Sequence, residues 1–298
     1  MDCEVFEFVN IGIALPRAKE LHFENRKSAL YGLGMPSLRV MEFLGEGHNP
    51  SQQFQEYLTS INPLRTRNHE ADWLRKRYKL LRRAALRGNA EALNDLGWIF
   101  SNKLCYPADQ DLAEKLFQLA AATGCPGEAW FNLAEQELHE LLFGTDRLKK
   151  MNCFYRMADA HGIGAAATRL GGLYWGSEEG HEVDLEQARR WLLRGAESGE
   201  AEAAYQLGVL LLDPNKPVYD QGNALYWLQA AALCDDLEAI SRLQDFYESA
   251  DGRLDPGGRL LAFWREQGER VFRLHLDPDN DLPVWPYKLI KRDLNEPT

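Results

Sequence analysis

Residues 167–199 read ATRLGGLYWGSEEGHEVDLEQARRWLLRGAESG, and their pattern returns along the middle of the chain. Its clearest mark is a leucine followed by a small residue, as at Leu170-Gly171. The same leucine recurs every 36 or 37 residues between positions 89 and 247, at Leu96, Leu133, Leu207 and Leu243. A fixed period of about 20 to 50 residues is the signature of stacked structural repeats. The chain is therefore expected to contain five similar repeats.

Each repeat reads as two amphipathic helices joined by a loop. In the third repeat the first helix is expected from about Ala165 to Trp175 and the second from about Leu185 to Ser198. A glycine or a substitute follows each second helix, at Gly88, Gly124, Gly162, Gly199 and Asp235. Glycine suits a helix C-terminus because it enters the left-handed conformation at little cost. A large side chain at Gly171 or Gly208 is expected to overpack the crossing of the two helices, at a cost of roughly 1–3 kcal/mol.

This pattern resembles the Sel-1-like repeat family, a relative of the tetratricopeptide repeat. The third repeat carries the resemblance in Leu170-Gly171, in Ala188-Arg-Arg-Trp191 and in Gly195-Ala196-Glu-Ser-Gly199. The second repeat departs from the family pattern, because Lys150 stands where alanine is expected. The resemblance implies an all-α fold, a right-handed α/α superhelix (solenoid) of helix-turn-helix repeats.

The segments on either side of the repeats lack the period. Residues 1–70 are expected to form a mainly helical N-terminal cap, with helices near 17–31, 37–44 and 51–60, because solenoids need a polar outer cover. Residues 71–250 hold the repeats, and residues 251–298 hold a closing helix and an irregular tail docked against the repeats. A separate ligand-facing module is the alternative for the N-terminal segment.

Residues 65–88 carry nine basic side chains and an apolar stripe that runs on into the first repeat. A basic amphipathic helix can bind nucleic acid, anionic lipid or a helix-binding groove. The stripe continues in the phase of a second repeat helix, at Leu81, Ala85 and Gly88. The favoured interpretation is therefore the last capping helix, with its basic side in solvent.

The composition narrows the classes of partner. Forty-five acidic residues against 34 basic ones leave a net charge of −11, which disfavours nucleic acid, since phosphate binding needs a positive field. A basic protein or peptide partner is compatible with this charge, although an acidic surface that only keeps the protein soluble is the more common explanation.

Cysteine usage and hydropathy indicate a cytoplasmic protein. The five cysteines are odd in number and none pair with C-x-x-C spacing, so neither a zinc site nor a complete disulfide framework is expected. No N-terminal basic region precedes the apolar residues 5–15, and no run of 18 apolar residues occurs. We therefore expect no transmembrane segment. The expected location of the protein is the cytoplasm, or the periplasm if an export signal has been removed.

The search for catalytic motifs yields little. His139-Glu140 begins like a zinc-protease motif, but position 143 is Phe, so the i, i+4 histidine pair is missing. No G-x-S-x-G and no phosphate-binding loop of the Walker type occurs. We therefore expect that the chain is not an enzyme and that it has no cofactor and no metal site.

By analogy with tetratricopeptide repeats, the first helices should line a concave face. The positions one and two before each leucine, and two after it, are then the candidates for binding a partner protein. They are Asn94, Asp95, Trp98, Phe131, Asn132, Glu135, Thr168, Arg169, Tyr205, Gln206, Arg242 and Asp245. Their mixture of aromatic and polar groups is typical of a protein-binding surface. The alternative is that Trp98, Phe131 and Tyr205 pack between neighbouring repeats.

The predicted function is a non-enzymatic module that binds a protein or peptide. The resembled family includes adaptors, envelope-assembly scaffolds and immunity proteins that sequester secreted toxins. The non-repeat head, the altered second repeat and the aromatic tail favour a dedicated inhibitor of one toxin effector. A general adaptor or scaffold is the alternative, and the oligomeric state is left open.

Overall fold

A computed structural model of the chain describes residues 14–23, 70–102, 105–106, 109–139, 145–176, 183–249 and 254–276. These residues form eleven α-helices and two strands of two residues each. The elements in chain order are β1 His22–Phe23, α1 Glu70–Ala85, α2 Ala90–Ser101, β2 Cys105–Tyr106, α3 Gln110–Thr123, α4 Pro126–His139, α5 Thr145–Ala160, α6 Gly164–Trp175, α7 Leu185–Glu197, α8 Ala201–Leu212, α9 Gln221–Ala232, α10 Leu237–Ser249 and α11 Arg259–Leu276.

The helix pairs follow the predicted period. The third repeat consists of α6 and α7, whose ends lie within one residue of those expected from the sequence. The expected glycines close the second helices with positive φ, 129° at Gly124 and 102° at Gly199. Asp235, the one substitute in this series, adopts a φ of 63°. The all-α fold of helix-turn-helix repeats is therefore confirmed. The short β1–β2 strand pair was not predicted from the repeat period.

Aspartates at the ends of the inter-helix loops begin the second helices. The side chains of Asp109, Asp184 and Asp220 each accept a hydrogen bond from the backbone N–H three residues later, at 2.9–3.1 Å. An aspartate at this position satisfies one of the free N–H groups of the first helical turn. The same residue type thus sets the start of α3, α7 and α9.

Glycines on the first helices let each pair approach closely. A Cβ atom added at Gly97 would lie 2.7 Å from Cε1 of Phe117, and one added at Gly171 would lie 2.5 Å from Cγ of Leu192. Carbon atoms in contact normally stand about 3.5–4.0 Å apart. The predicted overpacking at these crossings therefore has a geometric basis.

The described residues group into two compact units, divided between Ile163 and Gly164. The core of the first unit includes Leu93, Phe100 and Phe117, and the core of the second includes Leu192, Leu207 and Leu228, all at most 1% exposed. Each core lies between the two helices of a repeat and between neighbouring repeats. The units are described separately below.

The N-terminal segment departs from the helix predicted near 17–31. Residues 17–20 form a turn, closed by a hydrogen bond from Glu20 N–H to the Arg17 carbonyl, and β1 follows at His22–Phe23. The helix prediction is therefore wrong over 17–23. Three apolar residues of this segment, Leu15, Ala18 and Leu21, are buried in the first core, and this burial outweighs helical propensity.

The basic helix α1 holds this N-terminal segment in place. The guanidinium group of Arg82 donates to the carbonyls of Leu15 and Pro16 at 2.9 Å, and the hydroxyl of Tyr78 donates to the Pro16 carbonyl at 2.8 Å. Lys76, Lys79 and other basic side chains of α1 are exposed to solvent, as predicted. Arg82 instead binds the N-terminal segment to the helix. These contacts to residues 15 and 16 support the interpretation of α1 as a capping helix.

The helix expected after residue 258 is present as α11. The helices predicted near 37–44 and 51–60, and the docked tail after residue 276, lie outside the described residues. The boundaries predicted at residues 70 and 250 stay predictions. None of the described helices is both long and apolar enough to cross a membrane.

Candidate protein-binding face

Half of the side chains predicted to contact a partner are buried. None of these six is more than 2% exposed: Asn94, Asp95, Phe131, Asn132, Glu135 and Thr168. They are on the first helices α2, α4 and α6, as expected, but their side chains do not face solvent. This burial corrects the expectation that the whole row forms an open surface.

In the first unit the buried polar side chains pair with one another. The amide of Asn132 on α4 donates to the side-chain oxygen of Asn94 on α2 at 2.9 Å. The hydroxyl of Tyr155 on α5 donates to the carboxylate of Glu135 at 2.7 Å. Buried polar groups need such partners, since an unpaired one costs about 1–3 kcal/mol. These residues therefore connect α2, α4 and α5 inside the unit.

The predicted aromatic residues also pack rather than project. Phe131 is fully buried against Tyr155, with ring centroids 5.7 Å apart, and Trp98 is half-buried against the first core. In the second unit, Thr168 lies close to the backbone of α7, because a Cβ added at Gly195 would be 3.1 Å from its hydroxyl oxygen. The packing alternative stated for Trp98 and Phe131 is therefore supported.

The predicted row reaches solvent in the second unit. Arg242 and Asp245 on α10 are exposed, and Tyr205 and Gln206 on α8 are partly exposed. Arg169 on α6 is partly exposed as well. The structure thus brings Tyr205 of α8 and Arg242 of α10 together at an accessible position.

Tyr205 is the centre of this face. Its ring packs on the second core, and its hydroxyl hydrogen-bonds to Arg242 and Glu238 of the next first helix. Burial raises the pKa of the Tyr205 hydroxyl above its ordinary value, and the hydrogen bond from Arg242 opposes that rise. The hydroxyl is therefore neutral at physiological pH. Tyr205 is a partly exposed aromatic residue that is held in place by the core and contacts one basic and one acidic side chain.

Glu238 is the residue of this face that the repeat register missed. It is exposed, and it stands four positions before Arg242 on α10. Side chains four apart share one side of a helix, and a Glu followed by an Arg at this spacing is a favourable pair. That spacing is the signal that identifies it from the sequence.

The titratable groups of the described residues were compared for clusters and for shifted pKa values. No group of three or more His, Cys, Asp or Glu side chains within those residues could hold a metal ion. Glu200 has a perturbed pKa, raised to about 7 because burial and the nearby Glu202 disfavour its charge. Its carboxylate accepts a hydrogen bond from the backbone of Ala165 in the first turn of α6, so its position is that of a helix cap.

Comparison with known families and structures follows the same repeat boundaries. The Sel1 repeat family pattern matches residues 90–125, 164–200 and 201–236. These stretches correspond to the α2–α3, α6–α7 and α8–α9 helix pairs. The α4–α5 pair, predicted as the altered second repeat, is not matched. No curated protein sequence matches the chain.

Solved structures share the architecture. A Sel1 repeat protein from Oxalobacter formigenes is 23% identical over 65% of this chain and 78% of that one, with a TM-score of 0.56. A protective antigen of uropathogenic Escherichia coli with an SLR fold is 20% identical over 78% of this chain and 55% of that one, with a TM-score of 0.53. An immunity protein of Pseudomonas aeruginosa is 18% identical over 82% of this chain and 88% of that one, with a TM-score of 0.47.

At these identities the first two likenesses bear on the fold alone, and the third carries no argument about function. The repeat pattern, the glycine-closed helix pairs and the matched residues agree with one another. The chain carries Sel1 repeats at residues 90–125, 164–200 and 201–236, and it shares the fold of solved Sel1 repeat structures.

Proposed function

We propose that the chain is a non-enzymatic module that binds another protein through the accessible face of α8 and α10. The observation that carries the proposal is the arrangement around Tyr205. The Tyr205 ring packs on the second core and is partly exposed, its hydroxyl contacts Arg242 and Glu238, and Asp245 is exposed on the same helix as these two. Anchored aromatic and arginine side chains are over-represented among the residues that dominate binding energy.

The charge of the chain favours a basic partner. At a net charge of −11 the protein repels nucleic acid and attracts cationic protein surfaces, and such attraction mainly raises the association rate. The exposed carboxylates of Glu238 and Asp245 place negative charge on the proposed face itself. We expect binding to weaken as salt screens these charges.

Within the class of protein binders, we infer a dedicated inhibitor of a secreted toxin effector, with a general adaptor or scaffold as the alternative. Support comes from the α4–α5 pair, which keeps the two-helix form but replaces the repeat pattern with its own contacts. Trp130 and Phe154 stack with ring centroids 5.4 Å apart, and Arg147 pairs with Glu137 at 3.1 Å. Such individual packing suits one fixed partner better than many interchangeable ones.

The experiment begins with capture of partners from the native host by the purified chain, followed by mass spectrometry. The affinity of the captured partner is then measured for the single variants Tyr205→Ala, Arg242→Ala and Asp245→Ala. We expect at least one variant to lose about tenfold in affinity, which corresponds to about 1.4 kcal/mol. Arg273→Ala is the matched control, because Arg273 is an exposed arginine on α11 that pairs with its neighbour Glu269.

Equal affinity for all three variants and the control would contradict the proposed face. For the inhibitor role, the partner must be a toxin whose activity is lost on addition of one equivalent of the chain. A partner that keeps its activity in the complex favours the adaptor role. A nucleic acid as the retained partner, or turnover of a small molecule by the chain, would overturn the proposed class.

A further inference from the structure

A concave surface lies on the second helices of the repeats in the second unit. It is a cavity of about 470 Å³ between the second helices α7 and α9 and the loop 213–220. Leu207 and Leu211 of α8 contribute to its lining. The volume falls in the usual range for a site that encloses a ligand group, about 300–1,000 Å³. Its lining residues are distinct from those of the face around Tyr205.

The wall formed by loop 213–220 is held at several points. Asp220 N–H donates to the carbonyl of Leu211 at 2.9 Å, and Tyr219 N–H donates to the carbonyl of Lys216 at 3.1 Å. The amine of Lys216 lies 4.9 Å from the ring centroid of Trp175, a cation–π contact. Val218, in the middle of the loop, is buried in the second core. The cavity is therefore preformed, and a ligand that enters it does not have to order the loop.

Aromatic side chains line the cavity and stay accessible. Tyr219 is 44% exposed and Tyr226 is 62% exposed. The ring of Tyr226 stands edge-on to that of Trp227, with centroids 4.9 Å apart and planes at 80°. Large aromatic rings left in solvent around a concavity are typical of a binding site. Their faces carry negative potential and attract cations.

The charges around the cavity are mostly negative. Glu186, Glu197 and Asp220 contribute three carboxylates, and Arg189 contributes the one basic side chain among the described residues of the lining. The guanidinium of Arg189 is already engaged, because its Nε and one terminal nitrogen donate to Glu186 at 3.2 and 3.1 Å. Asp220 is also engaged, because both of its oxygens accept hydrogen bonds from Asn223, but its charge adds to that of the exposed Glu197. The net charge of the lining is therefore negative, which suits a cation.

We propose that this cavity binds the side chain of an arginine from a partner protein or peptide. The guanidinium group stacks on the exposed ring of Tyr226 and is paired with the carboxylate of Glu197. Arginine suits this combination better than lysine, because its planar group stacks on aromatic faces and forms two parallel hydrogen bonds to one carboxylate. The site is independent of the face around Tyr205, so either proposal can fail while the other holds.

The test is a titration of the full-length chain followed by NMR of the Trp227 indole N–H. The probe is the blocked tripeptide acetyl-Gly-Arg-Gly-amide, and the comparison peptides carry citrulline or lysine in place of arginine. We expect a saturable shift with the arginine peptide. Citrulline has the same shape without the charge, so we expect at least about tenfold weaker binding for it, a loss of about 1.4 kcal/mol or more. The lysine peptide is expected to lie between the two.

The variants Tyr226→Ala and Glu197→Gln are each expected to weaken binding of the arginine peptide about fivefold or more, while Tyr226→Phe retains it because the ring remains. Matched controls are Leu233→Ala, an exposed apolar side chain just after α9, and Glu266→Gln, an exposed carboxylate on α11. All substituted residues are at the surface, so the variants are expected to fold. Equal binding of arginine and citrulline, tighter binding of lysine, or no saturable shift would each overturn the proposal.

Discussion

Replacing Gly208 by alanine tests the close crossing of α8 and α9, on which the repeat architecture depends. A Cβ atom at this position would lie 2.6 Å from Cγ and 2.9 Å from Cδ2 of Leu228. It would also lie 3.1 Å from the carbonyl oxygen of Ala224, which is backbone and cannot rotate away. Leu228 is fully buried, and side chains in a close-packed core move only by displacing their neighbours.

The expected magnitude follows from two opposed effects. Alanine is favoured over glycine inside a helix by about 1 kcal/mol. Restoring a normal contact requires a displacement of about 1 Å at the crossing, and overpacking of this kind costs roughly 1–3 kcal/mol. We therefore expect Gly208→Ala to lower the free energy of unfolding by up to about 2 kcal/mol. The measurement is urea unfolding followed by far-ultraviolet circular dichroism.

Gly222→Ala is the matched control. Gly222 is a glycine in the first turn of α9, and the nearest atom to an added Cβ is the Asp220 carboxylate oxygen at 3.7 Å. Here only the helix propensity acts, so we expect a gain of up to about 1 kcal/mol. If Gly208→Ala also stabilised the protein, the argument from the crossing would be refuted. In the double variant Gly208→Ala/Leu228→Ala, the loss should be smaller than the sum of the single losses, because one substitution relieves the clash made by the other.

Two further predictions concern buried polar groups. The pKa of Glu200 is about 7 in the folded protein, against 4.5 for an unperturbed glutamate side chain, so the folded state binds the proton more tightly. The contribution of Glu200 to stability is therefore largest below about pH 4.5, decreases as the pH rises to about 7 and is constant above, with a total decrease of about 3 kcal/mol. Glu200→Gln should remove this decrease and unfold at a higher temperature than the parent at pH 8. The exposed control Glu197→Gln should melt like the parent. Equal melting temperatures of the parent and Glu200→Gln at both pH 5 and pH 8 would contradict the raised pKa of Glu200. Asn132→Ala removes the buried hydrogen bond from the Asn132 amide to the side-chain oxygen of Asn94, so we expect a loss of about 1–3 kcal/mol in urea unfolding. An unchanged midpoint would indicate that this pair does not support the unit.

The period of the repeats was sufficient to predict the helix pairs. Leucines 36 or 37 residues apart, with a small residue after most of them, located α2, α4, α6, α8 and α10 without any contact information. The glycines that close the second helices were predicted for the same reason, since a positive φ excludes most other residues. These features depend on residues that are close together in the sequence, so the sequence is sufficient to predict them.

The candidate site was predicted only in part. The register placed Asn94, Phe131 and Tyr205 at equivalent positions of their helices, two residues before the repeat leucine, yet the first two are buried and the third reaches solvent. Equivalent positions share a direction relative to their own helix, but exposure depends on what else packs against that direction. The tether from Arg82 to residues 15 and 16 is likewise a contact over more than 60 positions, which no local pattern contains.

What the sequence by itself determined is the repeat architecture: paired helices at a fixed period, with a glycine or its substitute at the end of each second helix. Helix starts, helix ends and close crossings are imposed by single residues and their immediate neighbours, so they can be read without coordinates. Only the tertiary structure decided which polar residues became internal hydrogen bonds, as between Asn94 and Asn132, and which became surface, as at Arg242. It also brought Glu197 and Tyr226 to one cavity, since burial and juxtaposition are properties of segments that meet in space and are far apart along the chain.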